Sequence, residues 1–340
     1  NSDLCVHAGP FCEQDRRAAC SQLRTMAELK LKTVTRTQGN NQALKDGTVK
    51  PRTFDFDFEE VPVLIDAFRR MVRGLEFDVC EMAITTYVCA RAYGKRFTAV
   101  PVFLVRAFHH GAILYNTKAG IRSPKDLEGK KVGVNRGYTV TTGVWARGIL
   151  QDEHGVDLSK VTWVLSGDEH VAEYKPPANV VPIESGKKMD EMLISGELVA
   201  AIGVDVKHPD VAPLIPNGLE AGLNALRTRG HYPINHLIVI KDDVLAAHPE
   251  AAADVFNVFA EAKNLYVERL KAGKIEKPDA FDELHRRVME ITGDPLPYGI
   301  EPNRKVIDEL VGHALTQGII TKPTSVDDLF APSTRGLVAR

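Results

Sequence analysis

Short apolar runs with strand character alternate along the chain with longer segments whose apolar residues recur at helical spacing. Residues 61–75 show the helical pattern most clearly. Their apolar positions are Leu64, Ala67, Phe68, Met71, Val72 and Leu75. The predicted strands are residues 31–35, 53–60, 77–79, 99–106, 112–116, 131–134, 161–165, 199–204 and 234–240, and the predicted helices are residues 61–75, 85–93, 142–153 and 187–194. This alternation is typical of α/β proteins with a parallel or mixed sheet flanked by helices.

Capping residues mark the ends of several predicted elements. Ser123 followed by Pro124 is typical of a helix start, and Gly155 is typical of a helix end. Because Ser123 follows an extended segment, we expect a second lobe to begin near it. The strand at residues 234–240 then returns to the first lobe, so two chain crossings form a hinge. The predicted division is residues 26–119 plus 227–340 for the first lobe and residues 120–226 for the second.

The two ends of the chain differ in pattern. Residues 1–25 show neither a helical period nor strand alternation. We expect an unstructured or expression-derived extension there, with the folded unit beginning at Met26. The C-terminal part is predicted to be helical, and its apolar stripes are core positions. These stripes are Val255, Phe259, Ala262, Tyr266 and Leu270, followed by Val306, Ile307, Leu310, Val311, Ala314 and Leu315.

Composition agrees with two cores and narrows the expected partners. The chain has 340 residues, more than one core usually supports. Its net charge is -2 and its basic residues are scattered, so nucleic acid is not an expected partner. No apolar run approaches the roughly 20 residues that cross a bilayer, and no signal segment is visible. We therefore expect no membrane partner and a cytoplasmic location, and we leave open whether the protein is a homo-oligomer.

Familiar signatures of catalytic and metal sites are absent from the sequence. It contains no GxSxG elbow, no Gly-rich phosphate loop, no HExxH and no dinucleotide fingerprint. The 5 cysteines show no CxxC or Cys/His spacing, so neither a disulfide framework nor a zinc site is expected. Polar loops that follow strands remain the candidates, because ligands of open α/β sheets bind at such strand ends.

The threonine-rich loop at residues 137–143 is the strongest of these candidates. It lies between a predicted strand and the helix that carries Arg147. Backbone N–H groups at the helix start can hold a carboxylate, and hydroxyl groups can add to them. The alternative is simple N-capping by a threonine turn. The side chains assigned to this anion site are Tyr138, Thr139, Thr141 and Thr142.

Two further clusters offer proton-transfer groups. Glu81 is placed in a loop ahead of a helix that begins with Thr85 and Thr86, and the alternative is that its charge is merely solvated. His109 and His110 follow Arg106 at the predicted lobe junction, and histidine exchanges protons readily near neutral pH. Since neighbouring residues of a strand point to opposite faces, at most one of the two histidines is expected in the cleft.

Several other polar residues stand near predicted strand ends. Arg36 is the choice for pairing with a carboxylate, because a guanidinium group forms two parallel hydrogen bonds, although a surface position is the alternative. His236 opens the strand at residues 234–240 together with Asn235. His170 and Glu173 follow the predicted strand at residues 161–165, and they are either site residues or surface residues at a helix start.

Several long segments together resemble the 4,5-dihydroxyphthalate decarboxylase family. They read ALKDGTV, LEFDVCEMAITTY with AYGK, HHGAILYN, LEGKKVGVNRGYTVTTGVWARGIL, VDLSKVTWV, DEHVAEY, PINHLIVI and DPLPYGIEPNR, and they cover most of the chain after Met26. The resemblance implies a two-lobed periplasmic-binding-protein-like (type II) α/β fold with a hinge and an interlobe cleft. It also implies a carboxy-lyase of phthalate degradation that converts 4,5-dihydroxyphthalate to protocatechuate and CO2 without an organic cofactor.

Under this resemblance each candidate residue receives a role. A hydroxyl para to the departing carboxylate makes the ring its own electron sink, so no cofactor is expected. The general acid is His109 or His110, the acceptor of the phenolic proton is Glu81 or His236, and the carboxylates bind to Arg36 and to Arg147 or Arg106, with Thr85, Thr86 and the threonine loop completing the site. A divalent metal held by a histidine and Glu81 is a less favoured alternative, since compact ligand spacing is absent.

Two other classes of function compete with the decarboxylase hypothesis. A non-catalytic receptor for a small aromatic or organic anion, feeding an ABC-type uptake system, would have the same two lobes but would require export. A ligand sensor or an enzyme of pyrimidine-precursor synthesis would be expected to carry a cysteine-rich site, which Cys80 and Cys89 do not supply.

Overall fold

A computed structural model describes residues 29–339 of the chain. The expected extension at residues 1–25 lies outside this range. The strands are β1 (Lys30–Val34), β2 (Asp55–Phe58), β3 (Val79–Ala83), β4 (Phe97–Arg106), β5 (Ile113–Asn116), β6 (Lys131–Val134), β7 (Thr162–Leu165), β8 (Val180–Pro182), β9 (Ala200–Ile202), β10 (Val211–Pro213), β11 (Ile234–Lys241), β12 (Tyr298–Gly299) and β13 (Val338–Ala339). The helices are α1 (Gln42–Lys45), α2 (Leu64–Gly74), α3 (Ile84–Ala92), α4 (Thr141–His154), α5 (Met189–Ser195), α6 (Gly218–Arg229), α7 (Asp242–Ala247), α8 (Ala251–Lys271), α9 (Ala280–Thr292) and α10 (Arg304–Thr316).

The strands form two main sheets with separate strand orders. The first sheet has the order β2-β1-β3-β11-β4, in which β1, β2 and β3 are parallel and β11 runs antiparallel to both neighbours. The second sheet has the order β10-β5-β9-β6-β7-β8, with parallel pairing from β9 to β8 and antiparallel pairing at β5 and β10. Such mixed sheets agree with the predicted α/β class.

The chain passes between the two sheets twice. It leaves the first sheet after β4 and returns to it at β11, and these two strands are hydrogen-bonded neighbours, with Ile234 opposite Arg106. The register of this pair is irregular between Ile234 and Ile238, and such irregularities redirect side chains near sites. The two chain segments that connect the sheets therefore start and end on adjacent strands, which is the arrangement of a hinge. The lobe boundaries predicted above, residues 119/120 and 226/227, remain predictions.

Apolar residues from both sheets belong to one continuous core. Val79 and Phe103 of the first sheet and Trp145 and Val132 of the second half of the molecule are fully buried within it. Helix α8 packs against β4, while α10 contacts both α3 and α4. Helix α10 thus packs against helices from both halves of the chain. Among residues 29–339, none of the helices combines the length and apolarity that crossing a membrane requires.

Most predicted elements are present, although the short elements α1, β8 and β10 were not predicted. The strand predicted at residues 77–79 is instead β3, which runs through Glu81. The strand continues past this charged residue because the buried Glu81 carboxylate accepts hydrogen bonds from Thr35 and Arg36. Helix α6 was not predicted, and it ends at Gly230 in a left-handed conformation. Leu315 is 39% exposed, although the stripe pattern placed it in the core. It lies in the last turn of α10, beyond the packed face.

Candidate active site

A cavity of about 350 Å³ lies where α2, the end of β3 and the start of β11 face the loop before α4. A volume of this size suits a small organic ligand. The cavity joins residues from both halves of the chain, as an interlobe cleft does. It is lined by Arg36, Pro62, Val63, Leu64, Ile65, Phe68, Ala83, Thr86, Arg136, Val140, Thr141, Thr142, His170, Asn235 and His236.

A histidine–carboxylate pair forms one wall of the cavity. His236 Nδ1 lies 2.7 Å from Glu81 Oε1, across the neighbouring strands β11 and β3. Because an ionised carboxylate only accepts hydrogen bonds, Nδ1 donates and Nε2 is left free. The His236 side chain is 19% exposed, whereas Glu81 is fully buried. The arrangement presents one oriented imidazole nitrogen to a ligand and hides the group that orients it.

Three donors surround the Glu81 carboxylate. Besides His236, the Thr35 hydroxyl donates to Oε2 at 2.8 Å and the Arg36 backbone N–H donates to the same oxygen at 2.9 Å. Burial by itself raises the pKa of Glu81, but the hydrogen bonds from His236, Thr35 and Arg36 outweigh it and hold the pKa below its ordinary value. Glu81 is therefore ionised at neutral pH and accepts the hydrogen bond that orients the His236 ring.

His170 supplies a second imidazole at the same cavity. Its Nδ1 is buried and has no hydrogen-bond partner among residues 29–339. Burial lowers the pKa of His170 to about 4, and the positive charge of Arg69 adds to this effect. The ring is therefore neutral near pH 7. Phe68 contacts both imidazoles, with ring centroids 6.2 Å from His170 and 5.2 Å from His236.

Two arginine residues line the cavity from opposite halves of the chain, and the guanidinium of Arg36 lies 5.8 Å from the centre of the Phe281 ring. Arg36 follows β1, and Arg136 follows β6. Within residues 29–339 neither of them forms an ion pair, and both are exposed. Arg136 has a left-handed backbone with φ of 69°, a costly conformation for a non-glycine residue that is common at functional sites. Two unpaired cations around one cavity are suited to a ligand with two negative charges.

The threonine loop lines the cavity only in part. The hydroxyls of Thr86 and Thr142 make no side-chain hydrogen bond to other residues of the range 29–339, so they remain available to a ligand. Thr85 and Thr141 instead hydrogen-bond to each other at 2.8 Å. The first N–H groups of α4 lie at this end of the helix and carry its positive dipole. Of the residues predicted for the anion site, Thr141 and Thr142 at the start of α4 border the cavity.

The first part of the same loop already holds an anion, which is the side chain of Glu169. Its carboxylate accepts hydrogen bonds from the backbone N–H of Tyr138 and from the N–H and hydroxyl of Thr139, the last at 2.7 Å. A Cβ atom at Gly137 would lie 2.6 Å from the Glu169 carboxylate, so glycine is required for this approach. Tyr138 and Thr139 therefore support the cavity wall, and neither of them lines the cavity.

The loop that carries Glu169 is also fastened to α2. Arg69 donates two hydrogen bonds to Asp168, at 2.7 and 2.8 Å, and Arg73 donates to the backbone carbonyls of Glu169 and His170. The Arg69 hydrogen bonds lower the pKa of Asp168 well below its ordinary value. These contacts join the two halves of the chain beside the cavity.

Besides Glu81, Thr85, Tyr138 and Thr139, which lie behind the cavity wall, four further predicted site residues are not part of the cavity lining. His109 is buried behind Asn235, with its Nε2 3.2 Å from Asn235 Oδ1, and burial lowers its pKa to about 4. His110 is bound to Glu153 at 2.9 Å. Both follow the end of β4, so the rule of alternating strand faces does not apply to them. Arg106 and Arg147 are the other two residues, and both are buried among neutral partners.

Asn235 and Arg136 are cavity residues to which the sequence analysis gave no role. The sequence holds a signal for each: Asn235 precedes His236 at the start of a strand, and Arg136 begins the loop after β6. A non-glycine residue in a left-handed conformation cannot be recognised from composition alone. For His170 the sequence left a surface position open as an alternative, and the residue is 5% exposed and lines the cavity.

A metal ion has one candidate set of ligands in the part of the chain that the structure describes. Asp152, Glu309 and His313 place their ligand atoms within 4.8 Å of one another. None of the three lines the cavity. Glu309 already accepts hydrogen bonds from Arg229 and His231, which neutralise its charge. We therefore assign no metal to the cavity.

Two sheets joined by paired crossings, with a ligand-sized cleft between them, define a two-lobed periplasmic-binding-protein-like protein, and the predicted fold class is confirmed. The periplasmic aliphatic sulphonate binding protein SsuA from Escherichia coli matches with a TM-score of 0.50 and 12% identity, covering 92% of this chain and 100% of that chain. The desulfurization enzyme DSZB matches with a TM-score of 0.50 and 12% identity, covering 90% of this chain and 97% of that chain. At such identities the likeness concerns the fold alone.

Sequence relatives are more specific. Residues 78–182 match the family model described as NMT1/THI5 like. The 4,5-dihydroxyphthalate decarboxylase of Comamonas testosteroni is 29% identical over 285 residues, which cover 79% of this chain and 86% of the relative. The protein of the same name from Pseudomonas putida is 39% identical over 147 residues, which cover 41% of this chain and 56% of the relative. The resemblance to the 4,5-dihydroxyphthalate decarboxylase family is confirmed.

Proposed function

We propose that this protein decarboxylates a hydroxylated aromatic dicarboxylate, 4,5-dihydroxyphthalate, to protocatechuate and CO2 without an organic cofactor. One observation carries the proposal: the His236–Glu81 pair faces a cavity with two unpaired guanidinium groups. The names of the sequence relatives support this choice of substrate. A cytoplasmic location and a part in phthalate degradation belong to the same proposal.

Binding places one carboxylate against each half of the cleft. Arg36 from the first sheet and Arg136 from the second can each form two parallel hydrogen bonds to a carboxylate. The helix start of α4 and the hydroxyls of Thr86 and Thr142 add further donors around the ligand. The apolar wall at Leu64, Ile65 and Phe68 removes water from one face of the ring. A dianion with a flat apolar body matches these features.

Proton transfer then drives the reaction. Protonated His236 donates the Nε2 proton to the ring carbon that bears the departing carboxylate, while the para hydroxyl donates a hydrogen bond to neutral His170 and pushes electron density toward that carbon. The carbon–carbon bond to the carboxylate breaks, CO2 leaves, and the electron pair returns to the ring. The para hydroxyl keeps its proton, and His236 is reprotonated by solvent. Overall, one proton replaces one carboxylate.

Glu81 acts on the reaction through His236. Its hydrogen bond to Nδ1 fixes the direction of Nε2 and holds the imidazole against the cavity. His109, one of the two acids predicted from the sequence, lies behind Asn235 and would act only by orienting that amide. We therefore assign the general acid to His236.

Turnover by the purified, EDTA-treated protein tests the proposal directly. Incubation with 4,5-dihydroxyphthalate is expected to release protocatechuate and CO2 in equal amounts, measured by liquid chromatography and CO2 capture. Tight binding of the compound without product would identify a receptor instead. Activity that is lost with EDTA and restored by a divalent cation would contradict the metal-free mechanism.

Carboxylate recognition gives a second prediction. Arg36→Ala is expected to raise KM for 4,5-dihydroxyphthalate by roughly 10- to 100-fold, since a charge-assisted hydrogen bond contributes about 1.5–3 kcal/mol. Arg52→Ala is the matched control, because Arg52 is exposed and lies outside the cavity. Steady-state kinetics measure both variants. Equal KM values for the Arg36 variant and the control would show that this guanidinium does not bind the substrate.

A further inference from the structure

A second cavity, of about 320 Å³, lies near the hinge on the side of β4 that carries Arg106. None of its residues lines the first cavity. Its walls come from the end of β4, from the end of α6, and from the chain around α9 and α10. The cavity is lined by Arg106, Leu226, Gly230, Tyr232, Thr292, Asp294, Pro297, Pro302, Asn303, Lys305 and Val306.

Arg106 is a buried cation without a buried anion beside it. The residue is 2% exposed. Its guanidinium donates to Asn303 Oδ1 at 2.7 Å and to the Tyr232 carbonyl at 2.6 Å, and it lies 4.0 Å from the centre of the Tyr232 ring. All these partners are neutral, and no carboxylate in the range 29–339 lies within 4.0 Å of it. Buried charges in proteins are normally paired, because an unpaired charge is costly.

One nitrogen of Arg106 remains available. Its Nε is buried and has no hydrogen-bond partner among the described residues. Burial lowers the pKa of Arg106 only to about 10, so the group keeps its charge at neutral pH. Arg147 is a useful comparison, because it is equally buried but lines none of the cavities described above. Of these two buried arginines, Arg106 is the one that borders the second cavity.

The remaining charges of this cavity also favour an anion. Lys305 is exposed and donates a hydrogen bond to the backbone carbonyl of Arg229, which leaves its charge without an acidic partner in the range 29–339. Asp294 is the acidic residue of the lining, and it is neutralised by Lys263 at 3.1 Å. The net charge that a ligand meets is positive.

We propose that this second cavity is a binding site for a small oxyanion of the carboxylate class, with Arg106 as its charged floor and Lys305 at its rim. A ligand carboxylate replaces the missing counter-ion of Arg106, and the apolar lining residues Leu226, Pro297 and Val306 contact the apolar body of the ligand. This site does not depend on the proposed decarboxylation. Organic carboxylates and inorganic oxyanions share the recognising chemistry, and the experiment separates them.

4-Bromobenzoate is the probe, because bromine can be located by anomalous scattering in crystals of the whole chain. We expect bromine in the second cavity with the carboxylate toward Arg106, and a second titration step beyond cleft binding in calorimetry. Sodium phosphate that displaces this step would identify an inorganic oxyanion site, and phosphate without effect would identify an organic carboxylate site. Bromine confined to the cleft or scattered on the surface would overturn the proposal.

Substitutions of Lys305 and Arg106 test whether these two residues form the second binding site. Lys305→Glu is expected to weaken the second calorimetric step by roughly 3- to 10-fold, since the residue is exposed and screened. Lys277→Glu, also exposed, is the matched control. Arg106→Met is expected to abolish the step, and thermal unfolding shows whether that variant is folded. An unchanged second step in Lys305→Glu would refute the site, whereas loss of turnover alone would concern only the decarboxylase proposal.

Discussion

His236→Asn is expected to lower kcat for 4,5-dihydroxyphthalate by about 10²- to 10⁴-fold, the usual contribution of a positioned general acid. The asparagine amide can still donate to Glu81, so the wall of the cavity keeps its hydrogen bond. It has no counterpart of Nε2 and cannot deliver a proton to the ring carbon. KM should change little, because the carboxylates are bound elsewhere. Steady-state and single-turnover kinetics measure the two effects separately.

His248→Asn is the control for this substitution, because His248 lies in a surface turn after α7 and outside the cavity. His109→Asn serves as the competing variant. A large loss of kcat in His109→Asn, together with nearly unchanged kcat in His236→Asn, would return the general acid to the residue behind Asn235.

Glu81→Gln is expected to destabilise the fold as well as to reduce turnover. Glutamine offers a donor where Thr35, Arg36 and His236 all need an acceptor. Breaking a buried charged pair costs roughly 3–5 kcal/mol in free energy of unfolding. Urea denaturation at pH 7 measures this loss. Glu261→Gln, at an exposed position, is the matched control and should stay within about 0.5 kcal/mol of the unmodified chain.

The pH dependence of this loss follows from the direction of the pKa shift. The pKa of Glu81 is lower in the folded chain than its ordinary value. Its stabilising contribution is therefore fully present above the ordinary pKa and disappears as pH falls through the lower folded value. The difference in free energy of unfolding between the unmodified chain and Glu81→Gln should shrink on acidification below about pH 4.5. A difference that grows on acidification would contradict the ionised Glu81.

Periodicity predicted most elements because burial of one helix face or of a whole strand leaves a direct trace in the sequence. The strand β6 was predicted with its observed bounds, and α4 ends at Gly155 as expected. Glu81 was misplaced because a charged residue within an apolar run normally ends a strand. Only the three-dimensional arrangement brings Thr35 and His236 to it, from 46 and 155 residues away along the chain.

The candidate site was predicted less completely than the fold. Arg36, Thr86 and His236 line the cavity, as do Thr141 and Thr142 of the threonine loop. The residue types indicated the kind of chemistry, but the sequence did not show which side chains point into the cavity. Adjacent His109 and His110 suggested acid–base chemistry, yet the turn after β4 directs them toward Asn235 and Glu153. Such distant partners leave no trace in local spacing.

The carboxylate of Glu169, which is hydrogen-bonded to the loop before α4, affects how the cleft binds its ligand. Because the N–H groups of Tyr138 and Thr139 are already saturated, this stretch of wall is ordered before any ligand arrives. The conformational entropy of that loop is lost during folding, and binding does not have to supply it again. Selectivity between aromatic acids then depends on the groups left unsaturated at Arg36 and Arg136.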